Sequence, residues 1–264
     1  MTNSIIMPGA APYFHRGDTV GCLCLHGFTA SPHEVLWLAQ YLGEQGHTVY
    51  APRLAGHGTD PHDLARVRWS DWLNSTLDGY YVLKQQCDQV YVCGLSMGGI
   101  LALLISMTVA IDGAVVMAAP LQMGAALQSR TLRRIKYIRR FTDQTDHSRF
   151  AQYINEQQRQ RGEPALGRVR YNLWSTAGLE QLALMIEHVV ERLDEVDVPI
   201  LALYSEGDQT VSTGNLELLQ SKVRNQLLES YVFKNSGHIL TQDIESAEVF
   251  RRTADFITRC AHAR

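Results

Sequence analysis

The chain has 264 residues, of which 45% are hydrophobic and 19% charged, and its formal net charge is −3. This composition is that of an ordinary globular protein and argues against a disordered or fibrous chain. The lack of a basic excess argues against a nucleic-acid-binding protein. The longest apolar runs are shorter than the roughly 20 residues that a membrane-spanning helix needs, so we expect no membrane span.

The start of the chain and its cysteines both bear on the compartment. Residues 1–6 contain neither a basic leader nor an apolar stretch of export-signal length, so we expect a cytoplasmic protein. The cysteines lack the spacing of metal ligands, and a disulfide framework is unusual in a chain of this length without an export signal. We therefore expect buried free thiols. The cysteines are Cys22, Cys24, Cys87, Cys93 and Cys260.

The first half of the chain alternates short apolar runs with longer amphipathic ones, the pattern of a parallel sheet covered by helices. Strands are predicted at residues 20–25, 47–50, 89–93 and 113–117. The first helix is predicted to begin after Ser31, a capping residue, with Pro32 in its first turn, and to end at Gly46. A second helix begins at Ser70, and a third, nearly all apolar, begins at Gly98.

The pattern changes after residue 120, where no strong strand run occurs for almost eighty residues. We interpret residues 121–198 as an inserted helical cap, and residues 1–120 and 199–264 as the two parts of the sheet domain. The best helix of the cap is predicted at residues 179–193, from apolar residues at helical spacing on one face. After the cap, the sequence predicts a strand at 199–204, a helix near 215–219, a strand at 230–233 and a terminal helix from about residue 246.

The pentapeptide Gly94-Leu95-Ser96-Met97-Gly98 lies between a predicted strand and the apolar helix. This strand–turn–helix context is that of a nucleophile elbow, in which a serine is exposed at the tip of a sharp turn. The two glycines remove side chains that would collide in such a turn. The alternative is a glycine-rich turn with a capping serine. Because an acid and a histidine follow in the chain, we predict that Ser96 is a catalytic nucleophile.

A serine hydroxyl needs a base to take its proton and a carboxylate to orient that base. For the base we select His238, because it follows the last predicted strand in a turn of small residues, where the topology returns the chain to the nucleophile. For the acid we select Asp208, just beyond the strand that resumes the sheet; Glu206 is the nearest alternative, and a simple loop cap is the other. His26 and His57 precede the serine, so we assign them structural hydrogen bonding.

Acyl transfer also needs two backbone N–H donors for the oxyanion, one from the residue after the nucleophile and one from the loop after an early strand. Met97 is the first predicted donor. The loop is His26-Gly27-Phe28, in which Phe28 is the second predicted donor and Gly27 allows a close approach of the backbone. The Phe28 side chain could equally cover the core, and the two roles are compatible because the donor is the backbone.

Five short segments of the sheet domain carry the most specific motifs. They are Leu25-His26-Gly27-Phe28-Thr29, Ala51-Pro52-Arg53-Leu54-Ala55-Gly56-His57-Gly58, Gly94-Leu95-Ser96-Met97-Gly98-Gly99, Gly207-Asp208 and Ser236-Gly237-His238. Together they resemble the bacterial carboxylesterases and monoacylglycerol lipases of the α/β-hydrolase superfamily. The resemblance implies an α/β fold with a mostly parallel sheet flanked by helices, and an acyl-enzyme on Ser96. It also implies that Phe28 and Met97 form the oxyanion hole and that a variable cap shapes the acyl pocket.

We therefore expect a serine carboxylic-ester hydrolase, a carboxylesterase or monoacylglycerol lipase with a Ser96–Asp208–His238 triad and no metal or organic cofactor. Its expected partner is a small-molecule ester or a monoacylglycerol, and the cap, which matches the family poorly, leaves the choice open. The alternatives are a C–C bond hydrolase or thioesterase with the same triad, and a non-catalytic binding protein of this fold. A dehalogenase or epoxide hydrolase would require aspartate at position 96.

One stretch of the cap, residues 130–141, is basic and has apolar residues at every third position, namely Leu132, Ile135, Ile138 and Phe141. We expect a cap helix that packs this apolar stripe on the core and exposes its basic face to solvent. The alternative is peripheral contact with an anionic lipid surface, for which a stretch of 12 residues is short.

Overall fold

The structure, a computed structural model, describes residues 5–144, 149–223 and 228–262. Its strands are β1 (Tyr13–His15), β2 (Val20–Leu25), β3 (Thr48–Ala51), β4 (Gln89–Leu95), β5 (Gly113–Met117), β6 (Phe141–Asp143), β7 (Leu173–Ser175), β8 (Ile200–Ser205) and β9 (Leu228–Phe233). Seven of them form one sheet in the order β1-β3-β2-β4-β5-β8-β9, and β6 pairs with β7 separately. Every neighbouring pair of the large sheet is parallel except β1 and β3.

Helices cover both faces of this sheet. They are α1 (Leu36–Glu44), α2 (Pro61–Leu64), α3 (Trp69–Lys84), α4 (Met97–Ser106), α5 (Ser129–Ile135), α6 (Arg149–Gln160), α7 (Thr176–Glu191), α8 (Gly214–Lys222) and α9 (Ser246–His262). Helices α1 and α9 pack on one face, whereas α3, α4 and α8 pack on the other. Side chains of β2 alternate between these two cores, with Cys22 and Cys24 on the first face and Leu23 and Leu25 on the second, as the two-residue period of a strand requires. No helix in the described ranges is long and apolar enough to cross a membrane.

The predicted strands and helices of the sheet domain are confirmed, with ends that shift by a few residues. The first predicted helix begins with a 3₁₀ turn, Pro32–Val35, before α1. The sequence missed β1 and α2, which have three and four residues and therefore show no hydrophobic period. All five cysteines are free thiols, and four are buried as expected, but Cys260 is only half-buried.

Residues 118–199, called the insertion below, connect β5 to β8 and contain α5, α6 and α7. The insertion also contains the antiparallel pair β6–β7, which the sequence did not predict. Helix α7 begins one turn before the predicted residue 179 because the Ser175 hydroxyl accepts a hydrogen bond from the Gly178 N–H, 3.1 Å away, and caps it.

The expectation of one helix over residues 130–141, with its whole apolar stripe on the core, was wrong. Helix α5 ends at Ile135, and Phe141 is already in β6. Leu132 is buried against α7, but Ile135 is 37% exposed and Ile138 is 90% exposed. The stripe fails because the chain leaves the helical period after Ile135, so residues three apart in sequence no longer share a face.

Candidate active site

Four loops that follow strands of the large sheet carry the predicted site residues. These loops follow β2, β4, β8 and β9. The four strands are parallel, so their carboxyl ends lie at the same edge of the sheet. Ligands of such sheets bind at this edge. The topology therefore brings together residues that are up to about 210 positions apart in the chain.

Ser96 lies at the sharp turn between β4 and α4, with φ of 55° and ψ of −116°. A positive φ is strained for a residue with a side chain. The turn is held by the Ser96 N–H, which donates to the Met117 carbonyl oxygen at 2.8 Å. A Cβ atom on Gly94 would lie 2.0 Å from the Gly98 oxygen, and one on Gly98 would lie 2.2 Å from the Leu25 oxygen. Only glycine fits at either position, which explains the sequence of the elbow.

His238 is hydrogen-bonded on both sides. Its Nε2 lies 3.0 Å from the Ser96 Oγ, and its Nδ1 lies 2.8 Å from Asp208 Oδ2. Because a carboxylate can only accept, Nδ1 carries the proton of the neutral ring, and Nε2 accepts the hydrogen bond of the serine hydroxyl. The structure therefore brings the three residues selected from the sequence into one chain of hydrogen bonds.

Asp208 is fixed by the loop that carries it. Its Oδ1 accepts hydrogen bonds from the Thr210 and Val211 N–H groups at 2.7 and 2.9 Å, and its side chain is only 1% exposed. Its other carboxylate oxygen is thus aimed at His238. Glu206, the alternative acid, is exposed and has no such contact with the ring.

The loop after β2 is anchored by a buried imidazole. His26 Nδ1 donates to the Gly27 oxygen at 2.9 Å, and its Nε2 accepts from the Leu54 N–H at 3.2 Å. Burial lowers the pKa of His26 to about 4, so the ring is neutral near pH 7. His57 lies against it, with ring centroids 5.0 Å apart, and donates from Nδ1 to the Ala55 oxygen. Both histidines have the structural role expected from the sequence.

Of the two predicted oxyanion donors, Phe28 lies in the loop after β2 and Met97 follows Ser96 directly. Among the described residues no acceptor is found for the Phe28 N–H, and Met97, as the first residue of α4, has an N–H without an intrahelical acceptor. The Phe28 ring packs edge-on against Trp72 and Trp174, with centroids 6.1 and 5.9 Å apart. Its side chain is therefore held in an aromatic cluster while its N–H remains available.

A cavity of about 630 Å³ contains Ser96 and His238 in its wall. Much of the wall is apolar and comes from the insertion, as Met123, Leu127, Phe150, Trp174, Leu179 and Leu182. Charged side chains also line it, among them Glu34 and Arg168, which form an ion pair. The sequence had not indicated either of these residues. Among the described residues, no group of three or more His, Cys, Asp or Glu side chains is placed to hold a metal ion.

The profile of the alpha/beta hydrolase family matches residues 22–253. The chain belongs to this family. As an α/β hydrolase, it is 30% identical over 257 residues to a thermostable monoacylglycerol lipase of Bacillus sp. (strain H-257), with 97% of each chain covered. It is also 26% identical over 251 residues to a carboxylesterase of Bacillus subtilis (strain 168), covering 94% of this chain and 96% of that one.

Solved structures agree with the family and the fold. One, described with the metagenome-derived lipolytic enzymes LipS and LipT, superposes on this α/β hydrolase with a TM-score of 0.83 at 26% identity, covering 96% of this chain and 99% of its own. A monoacylglycerol lipase of Paleococcus ferrophilus has the same fold, with a TM-score of 0.77 at 15% identity, and covers 94% of this chain and 98% of its own. The α/β-hydrolase fold expected from the motifs is confirmed.

Proposed function

We propose that this α/β hydrolase is a serine carboxylic-ester hydrolase of the carboxylesterase or monoacylglycerol lipase type, with Ser96, His238 and Asp208 as its catalytic triad. The observation that carries the proposal is the continuous chain of hydrogen bonds from Asp208 through His238 to Ser96 in the wall of a largely apolar cavity. The two relatives that match almost the whole chain, a monoacylglycerol lipase and a carboxylesterase, support the choice of ester chemistry.

In the proposed reaction, His238 Nε2 takes the Ser96 proton as Oγ attacks the ester carbonyl carbon. The carbonyl oxygen becomes an oxyanion and accepts hydrogen bonds from the N–H groups of Phe28 and Met97. His238 then gives its proton to the departing alcohol oxygen, which leaves the acyl group on Ser96. A water molecule repeats the sequence, losing a proton to His238 as it attacks the acyl carbon, and Ser96 regains its hydroxyl. Asp208 stabilises the imidazolium throughout.

The insertion supplies the acyl side of the proposed site. We assign residues 121–198 as a cap over a core formed by residues 1–120 and 199–264, because Met123, Leu127 and Trp174 contribute apolar surface to the cavity whose wall contains Ser96. A cavity of about 630 Å³ falls within the range of roughly 300–1,000 Å³ that is usual for small-molecule sites. This supports a small ester or a monoacylglycerol as the substrate.

The test is loss of ester hydrolysis in Ser96→Ala. Turnover of a short aryl ester should fall at least about a thousandfold, because removal of a triad member costs several orders of magnitude. A fluorophosphonate should label the wild-type enzyme at Ser96 and leave the variant unlabelled, while circular dichroism checks that the fold is retained. A variant that keeps more than about a hundredth of wild-type turnover contradicts the assignment.

Substrate class is decided by a second assay on the wild-type enzyme. Aryl esters of increasing acyl length, a monoacylglycerol and an acyl-CoA are compared by kcat/KM. The proposal expects the esters or the monoacylglycerol to be preferred. A preference for the acyl-CoA would support a thioesterase, and labelling of Ser96 without hydrolysis of any of these substrates would favour a C–C bond hydrolase with the same triad.

A specific observation also favours contact with an anionic lipid surface, which we propose for residues 130–141. Tyr137 and Ile138 are 80% and 90% exposed, and Arg134 and Arg139 are exposed beside them. Glu180 of α7, a buried carboxylate, forms ion pairs with Arg133 of α5 and with Lys136, which directly follows α5. Exposed apolar side chains flanked by arginines fit the interface of a negatively charged membrane.

Vesicle sedimentation tests this contact. The wild-type enzyme should bind phosphatidylglycerol vesicles more than phosphatidylcholine vesicles, and added salt should weaken the binding. The double variant Arg134→Glu with Ile138→Asp should abolish it. Arg259→Glu, an exposed charge reversal on α9, serves as the control and should bind nearly as well as wild type. Equal binding by both variants, or none by wild type, contradicts the proposal.

A further inference from the structure

Glu34 is a buried carboxylate that contacts the predicted oxyanion loop. It lies in the 3₁₀ turn before α1, and its Oε2 accepts the Gly27 N–H at 2.8 Å. Its Oε1 accepts from Arg168 Nη2 at 3.3 Å, across 134 positions of sequence. The side chains of Glu34 and Arg168 are 7% and 18% exposed, and both line the cavity that contains Ser96.

We propose that Glu34 and Arg168 form a positioning pair that holds the Phe28 N–H toward the oxyanion. The inference rests on the proposed ester hydrolysis, which gives that N–H its role. Neither side chain takes part in the chemistry. Their effect is exerted on the peptide group before Gly27, which adjoins the peptide group that carries the Phe28 N–H.

The loop geometry shows how this orientation is fixed. The peptide group before Gly27 is held by its N–H, which donates to Glu34. The peptide group after Gly27 contains the Gly27 carbonyl and the Phe28 N–H, and the carbonyl is held by His26 Nδ1 at 2.9 Å. A peptide group is planar, so fixing its carbonyl oxygen also fixes the direction of its N–H. A Cβ atom at position 27 would lie 2.9 Å from Glu34 Oε2, so a side chain there would displace the carboxylate from this contact.

Arg168 compensates the charge of the Glu34 carboxylate, which is buried in the wall of the cavity that contains Ser96. A buried negative charge close to a developing oxyanion would oppose its formation, and an unpaired buried charge is itself costly. The guanidinium of Arg168 offsets that charge and links Glu34 to the insertion. Two more hydrogen bonds join the same segments: Ser31 Oγ donates to the Val169 oxygen at 2.8 Å, and the Tyr171 N–H donates to the Thr29 oxygen at 2.9 Å.

Substitutions at both partners test the pairing. Glu34→Ala removes the acceptor of the Gly27 N–H, and we expect kcat to fall about 10- to 100-fold, less than the full loss of an oxyanion donor. Glu34→Gln keeps an acceptor without the charge and should lose less. Arg168→Ala leaves the carboxylate unpaired and should lower kcat, and Arg168→Lys should recover part of the loss. In each case KM for a short aryl ester should change less than about threefold, because the donor acts in the transition state.

Two further measurements separate positioning from simple loss of stability. The affinity for a trifluoromethyl ketone, which forms an oxyanion on the serine, should fall in proportion to kcat/KM across the variants. Ser31→Ala is the matched control, because it removes a buried hydrogen bond between the same two segments without touching Gly27. It should lower the melting temperature as much as the Glu34 variants do, while kcat stays within about twofold of wild type.

The possible outcomes are distinguishable. If fluorophosphonate does not label Ser96 of the wild-type enzyme, the proposed function fails and this inference fails with it. If Ser96 is labelled but Glu34→Ala retains kcat within twofold, only the positioning role is overturned. A fall in kcat that tracks the melting temperature in all variants, Ser31→Ala included, also overturns it.

Discussion

Asp208 differs from nearby Glu206 because backbone N–H groups of the loop fix its carboxylate. Two N–H groups of its own loop hold Oδ1, and Oδ2 points toward His238. Glu206 is two residues closer to β8, and its side chain is exposed. The sequence left both carboxylates as candidates, because a strand end cannot be placed to within two residues by pattern alone. The Asx turn at Asp208 orients that carboxylate toward the ring.

The corresponding prediction compares two carboxylate-to-amide changes. Asp208→Asn should lower kcat for an aryl ester by about 10³- to 10⁴-fold, because the amide cannot hold His238 in its productive tautomer. Glu206→Gln should remain within about twofold of wild type, as expected for an exposed surface change. Steady-state kinetics of both purified variants decides this. Similar losses in the two variants, or a larger loss at Glu206, would contradict the assignment of the acid.

Single residues were predictable from the sequence where a motif limits the choice. Ser96 and His238 each follow a recognisable strand within a small-residue turn. The fold places the Ser96 Oγ 3.0 Å from His238 Nε2. Glu34 had no such signal, because its role depends on Arg168, which lies 134 positions away in the insertion. A long-range pair of this kind leaves no periodic trace in either segment.

At the scale of elements, predictability follows burial. Strands β4 and β5 are almost entirely buried and read as continuous apolar runs, so they were found. Strands β6 and β7 have three residues each and are partly exposed, so they were missed. Sequence pattern also fails at residues 130–141. Apolar residues at every third position predict one helix there, but α5 ends at Ile135.

The elbow between β4 and α4 gives a prediction at this scale. A Cβ atom on Gly98 would lie 2.2 Å from the Leu25 oxygen, so Gly98→Ala must push α4 away from β2. We expect the free energy of unfolding to fall by at least about 3 kcal/mol, since backbone atoms cannot yield as a flexible side chain would. Urea unfolding followed by circular dichroism measures it.

The control for this change is Gly214→Ala at the start of α8. The nearest heavy atom to its added Cβ would be the Ser212 Oγ, 3.6 Å away, which is an ordinary contact. The free energy of unfolding should therefore change by less than about 1 kcal/mol, since alanine is the better helix former. Equal stability of the two variants would show that the turn at Ser96 tolerates a side chain at position 98.

Across the whole molecule, the insertion is joined to the sheet domain by buried polar groups. The Gln158 amide of α6 is fully buried, and its nitrogen donates to His33 Nε2 of the sheet domain at 3.3 Å. The pKa of His33 is lowered chiefly by burial. Hydrogen bonds of this kind join distant segments through exact geometry. The residue types that form these hydrogen bonds are common in any sequence, so the sequence alone could not predict which of them would pair.

Buried neutral histidines make the stability of the molecule depend on pH. Burial lowers the pKa of His26 to about 4 and that of His57 well below its ordinary value of 6.5. Between pH 6.5 and 4 the unfolded chain therefore binds protons that the folded chain does not. Stability that is fully present above about pH 6.5 must fall as the pH drops, by up to about 1.4 kcal/mol per pH unit for each such group.

The variant His57→Asn isolates one of these groups, because carboxylates can destabilise the fold in the same pH range. Asparagine keeps an N–H donor for the Ala55 oxygen, which His57 Nδ1 contacts at 3.0 Å, but it cannot be protonated. The variant should be less stable than wild type at pH 7, because loss of the imidazole ring leaves a gap beside His26 and Trp72. Its free energy of unfolding, measured in urea at pH 7, 6 and 5, should nevertheless fall less steeply between pH 6 and 5, by about 1 kcal/mol per pH unit. If the free energies of unfolding of the two proteins fall in parallel with pH, the His57 ring is not held neutral by burial. If they converge at low pH, this part of the acid sensitivity belongs to His57, whose ring packs against His26, the anchor of the predicted oxyanion loop.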